Sequence, residues 1–257
     1  MKILVINPNT TQSMTDTIGH AAAKAAAPGT TTVTVQPDKG PVSIESQYDS
    51  AFCVPGMLEI IQAAEAEGGY AGYVVACFRD PGLEAAREIA TGPVIGICEA
   101  AMHAASMLGK GFSVVSTLKR SAKVQYDLAR KYGFIDQLMS VRAAGVPVLE
   151  LEDAHSGAAD KVKAETLKAI EEDGAECVLL GCAGMVDLAQ RLTQETGIPV
   201  MDGVTVAVKM VEALAGLGLG TSKIVSYAPP REKPYTGAFA GNAPGPVSDP
   251  ARKKAAE

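Results

Sequence analysis

The sequence predicts an α/β protein with two pseudo-symmetric three-layer lobes, each built on a parallel sheet. Short apolar strands alternate with helices along most of the chain, a pattern typical of parallel sheets covered by helices. An internal repeat accompanies it: a proline follows Cys77 after sixteen residues in GPVIGI, and a proline follows Cys182 after seventeen residues in GIPVMDG. Polar strand ends repeat as well, since Asn9 precedes Cys77 by 68 residues and Thr117 precedes Cys182 by 65.

The first half of the chain opens with the apolar strand KILVIN, which Pro8 ends. Asn9 or Thr10 is a candidate N-cap for the Ala-rich helix that follows, and residues 38–50 are a predicted loop. The predicted strands are 2–7, 31–36, 73–78 and 93–97, and the predicted helices are 11–27, 54–67, 82–90 and 98–108.

The second half repeats this alternation, and the segment 141–150 carries no predicted type. The predicted strands are 112–117, 177–181 and 199–203, and the predicted helices are 119–132, 158–173, 185–196 and 204–215. We expect one lobe to comprise residues 1–97 and 207–257, with 243–257 a mobile tail, and the other to comprise 98–206. We expect the active site in the cleft between the lobes, because ligands bind beyond the carboxyl ends of parallel strands.

The composition argues against several classes of protein. Of the 257 residues 47% are hydrophobic, only 5% are aromatic and none is tryptophan, which predicts an aliphatic core. A net charge of −6 argues against a basic nucleic-acid surface. The start MKILVINPN lacks the features of a secretory signal, and no uncharged apolar stretch is long enough to span a membrane. We therefore expect a soluble, cytoplasmic protein.

Neither a metal nor a cofactor is expected from the motifs. The odd number of cysteines, five in all, argues against a disulfide framework. There is no CxxC pair, and His20, His103 and His155 are scattered, so a zinc site has little support. The stretch GLGLGTSK at 216–223 lacks the order of a phosphate-binding loop, and no GxGxxG follows a strand.

Two cysteines are distinguished by their positions. Cys77 and Cys182 each fall at the carboxyl end of a predicted strand, whereas Cys53, Cys98 and Cys177 are interpreted as structural, with Cys98 able to approach the cleft. Lobes that face each other would bring the two thiols to one cleft, where one group removes a proton from a carbon acid and the other delivers a proton to the opposite face. Because a helix follows each cysteine, we expect its N-terminus to lower the thiol pKa towards neutrality.

Four segments together resemble the hydantoin and allantoin racemases of the aspartate/glutamate racemase superfamily. They are NPNTTQSMTDTI, VVACFRDPGLEAAREIATGPVIGICEAAMH, LGCAGM and DGVTVAVKMVEAL with the following LGTSK, and the match covers about residues 1–235. The resemblance implies an aspartate/glutamate racemase-like fold, racemisation by two cysteines without a cofactor, and a homo-oligomer.

The resemblance also implies site residues. The catalytic pair falls on Cys77 and Cys182, and the substrate-binding positions fall on Asn9, Phe78, Thr117, Ala183 and Gly184. Asn9 and Thr117 also fit purely local structural roles. Many relatives carry a small or acidic residue where this chain has Arg79, whose cationic side chain could lower the thiol pKa, attract an anionic substituent or point to solvent.

The leading hypothesis is a racemase of 5-substituted hydantoins, and the first alternative is an allantoin racemase. Apolar residues from the loop around 40–50 in the pocket would favour hydantoins, and hydrogen-bonding groups there would favour the ureido group of allantoin. A maleate-type cis–trans isomerase remains open, because it also uses thiols. A non-catalytic binder of small molecules remains open, because paired α/β lobes also clasp ligands.

Overall fold

Each half of the chain forms one four-stranded parallel sheet in the computed structural model, which describes residues 1–153 and 155–244. The first sheet contains β1 Lys2–Ile6, β2 Thr31–Val35, β3 Gly72–Val75 and β4 Val94–Gly96, in the order β2-β1-β3-β4. The second contains β5 Phe112–Ser116, β6 Leu138–Ala143, β7 Cys177–Leu180 and β8 Val200–Asp202, in the order β6-β5-β7-β8. The two orders are the same when the strands of each half are counted from its start, so the predicted two-lobe α/β fold is confirmed.

Helices cover both sheets. They are α1 Gln12–Ala25, α2 Gln47–Glu67, α3 Leu83–Ile89, α4 Ile97–Leu108, α5 Ala122–Tyr132, α6 Ala158–Glu171, α7 Val186–Thr196 and α8 Gly203–Gly216. Short 3-10 turns lie at Lys119–Ser121, Val148–Glu152, Ala183–Met185, Val225–Tyr227 and Gly237–Asn242. Among the described residues, none of these helices has the length and apolar character to cross a membrane.

One continuous hydrophobic core joins the two sheets. It runs from Val5 and Val74 in the first sheet, through Ala101 in α4 and Val208 in α8, to Leu179 in the second. Helices α4 and α8 pack directly against each other at the centre of the molecule. Burial of these aliphatic side chains drives the association of the sheets. The assignment of residues 98–206 to one lobe, with 1–97 and 207–257 in the other, stays a prediction; residues 245–257 of the expected tail lie outside the described residues.

Several local expectations are wrong. Helix α2 begins at Gln47, within the predicted loop, because Ser46 and Asp49 form a capping box: Ser46 Oγ accepts from the Asp49 N–H at 3.1 Å, and Asp49 Oδ2 accepts from the Ser46 N–H at 2.8 Å. The N-cap of α1 is Thr11 instead of Asn9 or Thr10. The Asn9 side chain still serves this turn, since its Oδ1 accepts from the Thr11 N–H at 2.9 Å.

Candidate functional site

Equivalent strands of the two sheets lead into Cys77 and Cys182. Each cysteine lies two residues beyond the last residue of its strand, β3 or β7. The residue between strand and cysteine continues the ladder in the same way in both halves, since the Ala76 N–H donates to Ile6 O at 2.8 Å and the Gly181 N–H donates to Val115 O at 2.8 Å. The internal repeat therefore delivers two thiols from matching positions.

Both thiols line a single pocket, whose lining residues come from both halves of the chain. The lining residues are Asn9, Met14, Ile44, Ala76, Cys77, Phe78, Arg79, Thr117, Ser121, Gln125, Val148, Gly181, Cys182 and Ala183. Six of the seven predicted site residues belong to this set, and Gly184 does not. Phe78 is 2% exposed and also packs in the central core, so it supports the pocket as well as lining it.

Burial governs the electrostatics of Cys77. Desolvation, aided by the nearby Cys53, raises the pKa of the Cys77 thiol above its ordinary value, although the backbone N–H and the charge of Arg79 act in the opposite direction. The expected lowering by a helix N-terminus is therefore wrong for this residue. The helix that follows is the seven-residue α3, which begins only at Leu83, six residues after Cys77.

The two thiols also influence each other. The charge of Cys182 contributes to the raised pKa of Cys77, so ionisation of one sulfur disfavours ionisation of the other. Cys182 is 9% exposed and caps the 3-10 turn Ala183–Met185, which continues into α7. The pair therefore disfavours the state in which both sulfurs are ionised.

The other three cysteines lie outside the pocket lining, and no disulfide joins any of the five cysteines, all of which are in the described part of the chain. Cys53 is fully buried in α2, where desolvation raises its pKa to about 12. Cys177 is buried at the start of β7. Cys98 does come near the pocket, since its Sγ donates to the pocket residue Gln125 at 3.5 Å.

Arg79 faces inward, not outward to solvent. Only 9% of it is exposed, its Nε donates to Ser50 Oγ at 2.9 Å, and its Nη1 donates to Ser121 Oγ at 3.4 Å. Ser50 belongs to α2 of the first half, and Ser121 precedes α5 of the second. Burial lowers the pKa of Arg79, and the charge of Arg120 adds to the effect.

Asp80 holds the turn that carries Cys77. Its N–H donates to Cys77 O at 2.9 Å, and its backbone adopts a positive φ of 43°, a strained conformation for a residue with a side chain. The carboxylate accepts from the N–H groups of Cys98 at 3.1 Å and Glu99 at 2.8 Å and from the Tyr132 hydroxyl at 2.7 Å. Asp80 thus ties this turn to the start of α4 and to α5.

Seven pocket residues were not predicted from the sequence. They are Met14, Ile44, Ala76, Ser121, Gln125, Val148 and Gly181. A signal for two of them exists, since Ser121 and Gln125 are polar residues four apart on the buried face of an amphipathic helix. Gln125 Nε2 donates to Phe78 O at 3.0 Å, which links the second half of the chain to the residue after Cys77. Ile44 comes from an irregular segment and Val148 from the start of a short 3-10 turn, so neither carries a periodic signal.

Asn9 and Thr117 close the pocket on two sides. Asn9 Oδ1 accepts from Asn7 Nδ2 at 2.9 Å, and its Nδ2 approaches Met14 Sδ at 3.4 Å. Thr117 O accepts from the N–H groups of Gly145 at 2.8 Å and Val146 at 3.1 Å. Both residues therefore serve local structure while they line the pocket. Within the described residues, no group of three or more His, Cys, Asp or Glu side chains is placed to hold a metal ion.

Comparisons with known proteins agree on one family. A family model described as Asp/Glu/Hydantoin racemase matches residues 3–211. A hydantoin racemase of Pseudomonas sp. (strain NS671) is 46% identical over 93% of this chain and 96% of that protein. A hydantoin racemase of Rhizobium meliloti is 48% identical over 92% of this chain and 98% of that protein. The solved structure of an allantoin racemase from Klebsiella pneumoniae has a TM-score of 0.93 at 48% identity and covers 95% of this chain and 100% of that chain.

Proposed function

This chain belongs to the Asp/Glu/Hydantoin racemase family and is a racemase, and from that premise we propose that it interconverts the D- and L-enantiomers of 5-substituted hydantoins. Cys77 and Cys182 act as the two acid–base groups in this proposal. The observation that carries it is the pair of sulfur atoms lining one pocket from matching strand ends. A stereocentre held between them meets one sulfur on each face.

The proposed reaction conserves every proton. The thiolate of one cysteine takes the proton from C5 of the ring, and the electron pair of the broken C–H bond moves into the adjacent carbonyl as an enolate. The thiol of the other cysteine then gives its proton to the opposite face of C5, which leaves that sulfur as the thiolate. The other enantiomer reacts with the two roles exchanged. Because the ring carbonyl accepts the electron pair, no further electron sink is needed.

The apolar part of the pocket supports a hydantoin with an aliphatic portion in its 5-substituent. Ile44 is 8% exposed, Val148 is 6% exposed, and Met14 is 3% exposed, and all three line the pocket. Ile44 lies in the loop around 40–50, where apolar lining favours hydantoins. Contact with these side chains favours methylene and methyl groups.

Allantoin is the second candidate substrate. It has the same ring with a ureido group at C5, and the similarity to the Klebsiella pneumoniae allantoin racemase structure supports it. The polar pocket residues Arg79, Ser121 and Gln125 supply donors and acceptors that suit a ureido group. Polarimetry on allantoin and on benzyl- and isopropylhydantoin separates the two candidates, since the preferred substrate has the higher kcat/KM.

Replacement of either cysteine by serine tests the mechanism. Cys77→Ser and Cys182→Ser are each expected to lower racemisation by about 10²-fold or more, because the hydroxyl is too weak an acid for the proton transfer. Each variant retains one thiol and is expected to exchange the C5 proton for deuterium in one enantiomer only, which NMR in heavy water detects. Cys177→Ala is the matched control on β7, and its rate is expected to stay within about threefold of the wild type. Racemisation at the native rate by Cys182→Ser would overturn the mechanism.

Assembly and location are part of the proposal. We expect a homo-oligomer in the cytoplasm, with no nucleic-acid or membrane partner. Light scattering of the purified protein and fractionation of its host cells check these two expectations.

A further inference from the structure

A nearly buried cation lies beside the proposed base. The Arg79 guanidinium donates to two serine hydroxyls, Ser50 Oγ and Ser121 Oγ, one from each lobe. Among the described residues, no carboxylate forms an ion pair with it. The cost of burying an arginine is normally offset by a carboxylate or another anion, and serine hydroxyls supply only neutral partners.

The charges around this guanidinium reinforce its need for an anion. Arg120 lies close enough to disfavour the charged form of Arg79. Ser121 stands at the N-terminus of α5, an eleven-residue helix with no acidic residue in its first turn, and a helix N-terminus is positive. The groups that can place negative charge near Arg79 are the thiols of Cys77 and Cys53 and the carboxylate of Asp49. Burial raises the pKa of both thiols, and the Asp49 carboxylate accepts the N–H groups of Glu45 and Ser46 at the start of α2. One wall of the pocket is therefore positive, although the chain as a whole has a net charge of −6.

The pocket also offers a path from the ring to this wall. Cys77 and Arg79 are two residues apart on one turn, and the backbone N–H of Arg79 points at the Cys77 sulfur. Ile44 and Val148 line the same pocket. When C5 of the hydantoin ring lies at the Cys77 sulfur, a short methylene chain on C5 can contact these apolar side chains. The terminal group of that chain then reaches the guanidinium of Arg79.

We propose that Arg79, with Ser121, binds a carboxylate at the end of the 5-substituent, so that the substrates are hydantoins with a short carboxyalkyl group. This inference rests on the proposed hydantoin racemisation and names its substrate class. Arginine binds a carboxylate through paired N–H donors that no neutral substituent matches. Ser121 orients the guanidinium from the second lobe.

The direct test compares substrates of one shape and different charge. Wild-type enzyme is given 5-(2-carboxyethyl)hydantoin, its carbamoyl isostere 5-(2-carbamoylethyl)hydantoin, 5-isobutylhydantoin and allantoin. The kcat/KM on the carboxylate is expected to exceed that on the carbamoyl isostere by about tenfold or more, the worth of a charge-assisted hydrogen bond. Added salt is expected to shrink this ratio, because ions screen the attraction. A ratio near or below unity overturns the inference without any variant.

Variants then locate the preference. Arg79→Met is expected to lower the carboxylate-to-carbamoyl ratio about tenfold, and Arg79→Lys is expected to retain part of it. Lys123→Met is the matched control, because Lys123 is an exposed cation on α5 outside the pocket, and the wild-type ratio is expected to persist. If Arg79→Met lowers kcat/KM equally for all substrates, Arg79 acts on the Cys77 thiol instead of on the substituent, and the inference is overturned. If the wild type racemises the neutral hydantoins without favouring the carboxylate, only this inference fails; if it racemises no hydantoin, the proposed function fails first.

Discussion

Cys77 is the residue whose environment differs most from the sequence-based expectation, which was a lowered thiol pKa. A thiolate is needed for proton removal, yet burial raises the pKa of this thiol. The Arg79 backbone N–H acts against that effect but does not reverse it. The raised pKa makes the Cys77 thiolate a stronger base towards a weak carbon acid, but it also lowers the fraction of Cys77 that is ionised near neutral pH.

The pH dependence of the reaction follows from this raised pKa. Only the thiolate removes a proton, and below the pKa the thiolate fraction rises with pH. We therefore expect kcat/KM to rise about tenfold per pH unit between about pH 6 and 8 where Cys77 is the base. The ultraviolet absorbance of the thiolate, taken as a difference against Cys77→Ser, measures the same ionisation. A rate that is flat over this range would show that the folded enzyme already holds Cys77 as the thiolate.

At the scale of elements, the start of α4 depends on Asp80. The carboxylate accepts two backbone N–H groups of α4 and the Tyr132 hydroxyl of α5. Gly96 leaves room for it, since a Cβ there would come within 2.4 Å of the Asp80 carboxyl. Burial raises the pKa of Asp80 to about 6, against the lowering effect of the Tyr132 hydrogen bond.

Asp80→Asn is expected to destabilise the protein by about 1–3 kcal/mol, because the amide cannot accept from all three donors. The size of this destabilisation depends on pH. With a folded pKa raised to about 6 from 3.8, Asp80 contributes stability that is present below the unfolded pKa and is lost as the pH rises through 6. Asparagine does not titrate, so the stability of Asp80→Asn does not fall in this way. The difference in free energy of unfolding between wild type and variant is therefore expected to narrow by about 1 kcal/mol from about pH 5 to pH 8.

Urea unfolding of both proteins at the two pH values measures that gap. Asp16→Asn, on the exposed face of α1, is the control for the loss of a carboxylate elsewhere in the chain. A gap that widens with pH would mean that the fold prefers the ionised carboxylate.

The sequence predicted what local patterns encode. Apolar runs that end in Cys77 and Cys182 placed both residues at strand ends, and the repeat indicated that they share a cleft. The Ser46–Asp49 capping box was also present in the sequence, but the polar residues before it favoured a loop. The inward direction of Arg79 had no local signal, because it depends on Ser121 from the other lobe.

At the scale of the whole molecule, a hydrogen bond joins the segment before α2 to the start of the 3-10 turn Val148–Glu152. Glu45 Oε1, in the segment between β2 and α2, accepts from the Val148 N–H after β6 at 3.0 Å. It holds Ile44 and Val148 in place as pocket residues. Their pairing could not be predicted, since 103 residues separate the two partners and no repeat relates them.

Glu45→Ala is expected to raise KM for aliphatic hydantoins about fivefold, because one hydrogen bond that orders the pocket is lost. The free energy of unfolding is expected to change by less than about 1 kcal/mol, since a single part-buried hydrogen bond is lost. Glu67→Ala, which removes an exposed ion pair with Lys2, is the control for both quantities. An unchanged KM for Glu45→Ala would show that the segment keeps its place without this bond.

The two sulfurs occupy matching positions, but their surroundings differ: Arg79 stands near one, and the small Ala183 follows the other. Mirror-image molecules have equal free energies, so detailed balance forces an enzyme that inverts a lone stereocentre to show the same kcat/KM from either hand. The different surroundings can therefore change how tightly each enantiomer binds, provided that its turnover number changes in proportion. In this protein, unequal affinities for the two enantiomers would come from the residues beside the two sulfurs and would not change the final one-to-one ratio of the mixture.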